Sequence, residues 1–248
     1  MAVLASGCDF VFRLDTIEIH DGGPVDTHAD GGSGDAAPAF EAGGWIAHPG
    51  DGTLYTSVGV TLDRPTERGD LVVVALCAFP TASPITVSDA LSTAYTHVAV
   101  ADAAIAQPQL AAKLYYGVAP EAASALEVDL AFGGAGVESP DVRVAAYRNL
   151  AQAAPLATAS GVGAADVDTL SAIVTVSAVP TLLVAATCVG AETTAVDGFQ
   201  VRALSQPNGD LLADSISDSV SDEIATAHQT SATGMIVQLA AFRGAAAR

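Results

Sequence analysis

The feature that most restricts the fold of this chain is a two-residue polarity period that begins near Phe40 and runs to Phe242. Leu54, Thr56, Val58, Val60 and Leu62 share one parity, while Tyr55, Ser57, Gly59 and Thr61 share the other. Leu126, Val128, Leu130 and Phe132 alternate in the same way with Glu127, Asp129 and Ala131. Successive side chains of an extended strand point to opposite faces, so each segment is expected to bury one face and leave the other wet. A helix of the second segment would scatter its carboxylates around the core-facing side. Leu71 to Cys77 and Leu182 to Cys188 differ, being apolar at nearly every position, as expected of central strands covered on both faces.

Further strands are expected at Ile85 to Asp89, Tyr95 to Ala101, Leu110 to Val118, Val142 to Arg148, Ser171 to Ser177, Phe199 to Leu204, Asp210 to Ser217, Glu223 to Ala232 and Met235 to Phe242. Clusters of Gly, Pro, Asp and Ser separate them, which is the signature of an antiparallel sandwich or barrel. The spacing predicts an all-β domain over residues 40–248, an antiparallel β-sandwich of jelly-roll or Greek-key type. Little helix is expected. Ala101 to Ala112 is rich in alanine but broken by Pro108, and Pro120 to Ala125 is long enough for only one or two turns. With 248 residues, half of them hydrophobic, the chain has ample material for one core.

The amino-terminal part reads differently. Ala5-Ser6-Gly7-Cys8 resembles the bacterial lipobox, in which the cysteine thiol takes a lipid, and makes Cys8 the candidate lipidation site. Only Met1 to Leu4 precede it, so residues 1–20 read as a truncated lipobox-like start followed by an apolar strand. In that strand Phe10, Phe12 and Leu14, followed by Ile17 and Ile19, are either an edge strand of the chain's own domain or a candidate strand donor for a neighbouring sheet. Residues 21–39 are loaded with Asp and Gly and read as a linker. Cysteine, acidic spacer and compact domain in this order resemble the surface lipoproteins of myxobacteria and their relatives.

The body carries a second resemblance. Gly69 to Ala75, Val87-Ser88-Asp89, Tyr95, Tyr115-Tyr116, Val142 to Tyr147, Asn149-Leu150 and Pro155-Leu156 fall in the order of a jelly-roll module recurrent in bacterial secreted and cell-wall proteins. Pro180 to Ala186, Gly198-Phe199, Gly209-Asp210, Asp214, Ser231-Ala232 and Met235 to Phe242 continue it. This resemblance spans about residues 52 to 243 and implies accessory binding, adhesion or display without a defined activity.

Charge narrows the partners. The formal net charge is −19, and such a surface repels phosphate backbones and anionic headgroups, so nucleic acid is not an expected partner. The longest apolar runs span strand length, short of the roughly 20 residues a membrane helix requires. No transmembrane segment is expected.

The candidate site residues are few. Cys77 and Cys188 each lie six residues after the corresponding leucine of the two apolar runs, Leu71 and Leu182. They are either a disulfide joining counterpart strands in an exported protein or two buried free thiols. Trp45, Tyr55, Tyr95, Tyr115, Tyr116 and Tyr147 would stack on sugar rings if they faced one groove, and otherwise pack in the core. Asp210, Asp214 and Asp218, with Asp222, recur every four residues and form either a weak Ca²⁺ candidate or a solvated face. Asp26-Thr-His28-Ala-Asp30-Gly31 imitates half of a calcium loop but has Ala37 where the closing Glu belongs. The five histidines are dispersed, and no nucleophile elbow or phosphate loop occurs.

The sequence thus predicts a non-catalytic extracellular or cell-surface module for adhesion or for binding carbohydrate or another envelope component. The alternative is a structural subunit that joins copies of itself into a filament by amino-terminal strand donation. A glycan-active hydrolase, with Glu127 and Asp129 as its carboxylates, is a third reading. No cofactor is expected beyond the Ca²⁺ candidate.

Overall fold

Two strands of this protein, Leu71–Ala78 and Thr181–Val189, are buried at every residue, and the architecture follows from covering both faces of each. A computed structural model describes residues 37–48, 50–78, 84–98, 102–106, 110–151, 154–206 and 208–245. They contain no helix. In chain order the strands are β1 (Ala39–Ala47), β2 (Leu54–Tyr55), β3 (Ser57–Thr61), β4 (Leu71–Ala78), β5 (Ile85–Asp89), β6 (Thr96–His97), β7 (Ala103–Ile105), β8 (Leu110–Val118) and β9 (Glu127–Phe132). They continue as β10 (Val137–Glu138), β11 (Asp141–Arg148), β12 (Ala157–Thr175), β13 (Thr181–Val189), β14 (Thr193–Val196), β15 (Gln200–Leu204), β16 (Leu211–Ser217) and β17 (Asp222–Arg243).

All pairings are antiparallel. One large sheet has the order β1-β11-β4-β8-β6, with β7 also on β8. A second has the order β12-β17-β13-β16-β15, with β14 on β17. A three-stranded sheet, β3-β9-β5, and the small pair β10-β2 complete the set. Parity distributes the side chains among three apolar layers. Val72, Val74 and Leu76 meet Val58, Val60, Val128 and Leu130 of the three-stranded sheet. Leu71, Val73 and Ala75 point the other way and meet Leu182, Val184, Leu212, Ala240 and Phe242 of the second large sheet. The reverse parity of that sheet, Leu183, Ala185, Val237 and Leu239, is covered by Ala172, Val174, Ala225 and Ala227.

This last layer is made by the β12–β17 ribbon folding back on itself. β12 residues 157–163 pair with β17 residues 235–241, and after irregular register around Val167 residues 169–175 pair with 222–228. The returning half lies over the first half so closely that a Cβ on Gly161 would stand 2.2 Å from the Ser171 carbonyl oxygen. Glycine is required there by close backbone approach.

Several expected strands have other boundaries. Leu54 to Leu62 is interrupted at Thr56, because β2 pairs with β10 while β3 pairs with β9, and Leu54 is left 54% exposed. Glu223 to Ala232 and Met235 to Phe242 belong to one strand, β17. The alanine-rich stretch from Ala101 supplies β7 and the start of β8. Residues 157–170 carry few β-branched or aromatic residues, and pairing with β17 makes them strand despite weak local preference.

The layering makes a graded mutational prediction. Leu182→Ala, in the layer between the large sheets, should lower unfolding free energy by about 2–5 kcal/mol. Ile173→Ala, on the outer face of the ribbon and 54% exposed, should change it by no more than about 0.5 kcal/mol. Denaturant midpoints at constant slope measure both.

Candidate functional site

The apolar layer between the two large sheets is interrupted at one end by polar residues that the strand pattern forces inward. β11 begins Asp141-Val142-Arg143, and Val142 takes the parity of the layer under the three-stranded sheet. Asp141 and Arg143 therefore face the second large sheet, where both are essentially inaccessible. Arg143 Nε stands 3.1 Å from Asp141 Oδ1, an ion pair without hydrogen-bond alignment. Arg143 Nη1 donates to the carbonyl oxygens of Thr187 and Leu211, tying β11 to β13 and β16. Thr187 Oγ1 in turn accepts the Leu211 amide at 2.9 Å and pairs with Thr193 Oγ1 at 3.0 Å.

A second carboxyl joins this group. Asp210 is buried just before β16, and its Oδ1 accepts the Val189 amide at 2.8 Å. Ser205 Oγ donates to Asp141 Oδ2 and also stands 3.0 Å from the Asp210 carbonyl oxygen. The turn is possible because Gly209 has φ +74°, and because a Cβ on it would lie 2.4 Å from Glu192 Cα. Burial pushes the Asp210 carboxyl well above the usual carboxylate range, and the neighbouring Asp141 charge adds to this. Burial also raises Asp141, against the opposing pull of Arg143 and of the Ser205 hydrogen bond. The two titrate as a pair. A proton on Asp210 leaves Asp141 and Arg143 as a neutral ion pair, whereas ionising both carboxyls would bury a net negative charge.

Beside this pair the protein opens into a pocket of about 390 Å³. Asp210 and Asn208 line it from the β15–β16 turn, Val189 to Glu192 from the end of β13, and Cys77, Ala78 and Leu110 from the other large sheet. Cys77 and Cys188 form a disulfide with Cα atoms 5.2 Å apart. It joins β4, a central strand of one large sheet, to β13, a central strand of the other. Because Cys77 pairs across the strands with Asp141, the disulfide, the carboxyl pair and the pocket share one end of the interface. Ser139 Oγ and Asn208 Nδ2 both reach the His48 carbonyl oxygen, at 2.8 and 3.4 Å, and draw the β1–β2 loop to the same end.

The other candidates scatter. Asp214 makes a two-pronged contact with Arg202, at 2.7 and 3.0 Å, and Arg202 also lies over the Phe40 ring at 4.5 Å. Asp218 is exposed, and Asp210 serves the pair just described, so these aspartates do not converge on an ion. Four residues along a strand are separated by about 13 Å. Among the described residues no group of three or more His, Cys, Asp or Glu is placed to hold a metal. The aromatic residues divide between the two faces of a large sheet. Tyr115, with Tyr55 and Tyr95 beside it, packs toward the three-stranded sheet, while Tyr116 and Tyr147 pack toward the second large sheet. They line no common groove, and Trp45, 44% exposed, is the member of the set offered to solvent. Tyr95 donates to Asp89 at 2.8 Å, and Tyr55 stacks on His48. Glu127 and Asp129 lie on the open face of β9, next to Gly59. Cys8, the Phe10 to Ile19 segment, the calcium-like Asp26 to Gly31 stretch and nearly all of the linker lie outside the described residues.

The Asp141–Arg143–Asp210 group went unpredicted. Its signal is an acidic and a basic residue two apart in an otherwise apolar strand, which places both on one buried face. Two surface networks also went unpredicted. His97 and Lys113 both meet Asp102, at 2.7 and 3.0 Å, and His228 lies between Asp197 at 3.0 Å and Thr169 at 3.3 Å. The second has the order hydroxyl, imidazole, carboxylate, but it stands on the outer face of the ribbon, with the Asp197 side chain 64% exposed. The chain matches no family model, no curated protein and no solved structure. No helix among the described residues is long and apolar enough to cross a membrane.

The buried pair makes folding proton-linked. Its carboxyls keep protons in the folded chain above 3.8, the value at which an unfolded aspartate releases them. The associated stability is complete below that pH and declines as pH rises toward the raised folded values. Asp210→Asn, which keeps an acceptor for the Val189 amide, should remove most of this decline. Its advantage over the wild type should therefore grow with pH in parallel urea titrations. Asp141→Asn takes from the buried Arg143 the carboxylate nearest to it and should lose about 3–5 kcal/mol at neutral pH.

Proposed function

We propose that this chain is an exported, non-catalytic β-sandwich module that acts at the outer cell surface or beyond it by binding a polysaccharide or another envelope component. The observation that carries the reading is the Cys77–Cys188 disulfide, which joins the two large sheets and is nearly closed to solvent. Bonds of this kind persist where thiols are oxidised, outside the reducing cytoplasm. The lipobox-like Cys8 and the acidic residues 21–39 supply an anchor and a tether in the same reading. A net charge of −19 favours a neutral or cationic partner over an anionic one. Trp45 offers an exposed aromatic face of the type that stacks on sugar rings.

The non-catalytic part of the reading rests on the same geometry. The buried carboxyls are engaged with Arg143, Ser205 and the Val189 amide. The Thr169–His228–Asp197 network stands in open solvent, where electrostatic contacts are screened and water is not excluded. Filament formation is the second reading, and one observation favours it. Among the described residues β15 ends its sheet with a neighbour on one side only, an edge that another chain's strand would complete.

Intact mass of the protein isolated from its native cell tests the address. A disulfide and a lipid adduct at Cys8 are expected, and a reduced cytoplasmic protein would overturn the proposal. The Cys77→Ser/Cys188→Ser double variant should lose about 2–5 kcal/mol of stability. Binding to immobilised neutral polysaccharides should fall about tenfold in Trp45→Ala, for a loss of one stacking contact, without a change in melting temperature. For the second reading, deleting residues 8–20 should abolish any polymer seen by size-exclusion light scattering.

A further inference from the structure

We infer that residues 39–150 and 157–245 are two copies of one β-sandwich unit, and that the face each turns to the other is a self-complementary docking surface for a second unit of its own kind. The repeat is visible in strand order. In the first unit the sheet β1-β11-β4-β8-β6 is backed by β3-β9-β5. In the second the sheet β12-β17-β13-β16-β15 is backed by the folded-back halves of β12 and β17, with β14 beside them. Letting β12 stand for β1 and β3, and β17 for β9 and β11, turns one order into the other. Strand register then aligns individual residues, and their identities agree. Leu71-Val-Val-Val-Ala-Leu-Cys77 falls on Leu182-Leu-Val-Ala-Ala-Thr-Cys188, and Val142-Arg-Val-Ala-Ala-Tyr-Arg148 on Val237-Gln-Leu-Ala-Ala-Phe-Arg243. Ser57-Val-Gly-Val-Thr61 likewise falls on Ser171-Ala-Ile-Val-Thr175. Burial follows the same alignment, since Val58 and Val60 are covered beneath β4 as Ala172 and Val174 are beneath β13.

The contact between the units has two-fold form. In such an interface a residue meets its own counterpart only at the axis, and every other contact occurs twice with the roles exchanged. Cys77 and Cys188 are counterparts bonded to each other, which puts the disulfide at the axis. Asn149 and Leu150 correspond to Gly244 and Ala245, and they cross-pair: Leu150 bridges Gly244, and the Ala245 amide donates to the Asn149 carbonyl at 2.8 Å. Tyr116 packs on Phe242 with ring centroids 5.8 Å apart, and their counterparts, Asp214 and Tyr147, also stand beside each other. The apolar layer takes the same positions from each unit, Leu71, Val73 and Tyr147 from one and Leu182, Val184 and Phe242 from the other. A face that meets its own likeness in this way is complementary to itself. Each unit also has a separate core on its far side, so the shared layer is not its whole interior. Arg143, whose counterpart is Gln238, donates to the carbonyls of Thr187 and Leu211. Those positions correspond to Leu76 and Lys113, so a pair of first units would offer Arg143 the same backbone acceptors. Trp45 has Ser160 as its counterpart, and pairing of the units is therefore independent of polysaccharide binding.

The test uses the full chain carrying Cys8→Ser and a protease recognition sequence inserted in the link between β11 and β12. Native-state hydrogen exchange on the uncut, reduced protein reads the units first. Amides of β3, β4, β8, β9 and β11 should open as one group and those of β12, β13, β16 and β17 as another. A division by layers, with β4 and β13 opening together apart from the outer sheets, or no division, would overturn the two-unit assignment. The folded, reduced protein is then cut, and native mass spectrometry follows the pairs. Three masses are expected: first with second, first with first and second with second. Reoxidation should lock the like pairs through Cys77–Cys77 and Cys188–Cys188 bonds, because those sulfurs lie at the axis. Mixed pairs alone, like pairs that reoxidation leaves unlinked, or precipitation on cutting would each overturn the self-docking surface.

Discussion

β4 and β13 are apolar on both faces, and a strand of that kind is stable only with a sheet on each side of it. Covering β4 requires the three-stranded sheet on one face and the second large sheet on the other. Covering β13 requires, on its far side, the folded-back half of the β12–β17 ribbon. A fully buried Val or Leu contributes about 1.5–3 kcal/mol, and β4 alone holds five such side chains between its two layers. The stacking of layers is the arrangement that lets both parities of these strands contribute.

The same constraint governs the polar residues. Once Asp141 and Arg143 are carried inward by strand parity, every donor and acceptor they bring must be met inside the protein. Carbonyls of β13 and β16, the Ser205 hydroxyl and a shared proton meet most of that need, and Arg143 Nε and Asp141 Oδ1 are left to each other as an ion pair. Arg202 and Asp214 repeat the solution elsewhere between β15 and β16. Such pairs add little net stability beside apolar packing, but a slipped sheet would strand them unpaired. The Arg143 bonds from β11 to β13 and β16 set the two large sheets against each other, and the pocket opens beside them.

Much of the fold was legible in the sequence, because period two and doubly apolar runs are direct consequences of strand geometry. β5, β8, β9 and the central β4 and β13 were read from those patterns. β12 was legible only in its last quarter, since its Ala and Gly residues carry no polarity pattern and its strand character comes from β17. The candidate site was less legible. The relation between Cys77 and Cys188 was open to reading because both lie at matched places in matched runs. The partnership of Asp210 with Asp141 joins residues 69 apart through the register of two sheets. The aromatic set misled for the opposite reason, since tyrosine suits a core rim as well as a ligand groove, and sequence does not show which face a loop presents.

The covalent link between the sheets also sets how the protein bears load. Cys77 and Cys188 are 111 residues apart, so the strands from the end of β4 to the end of β13 form a closed ring of chain. When the folded chain is held at one terminus and pulled at the other, tension passes across the sulfur bridge and bypasses that ring. At about 3.3–3.6 Å per extended residue, close to 400 Å of contour stays coiled. The three-stranded sheet and its strands, which lie wholly outside or inside that ring in sequence, feel the pull unequally: β3 is drawn out with the leading segment, whereas β5 and β9 remain behind the bridge.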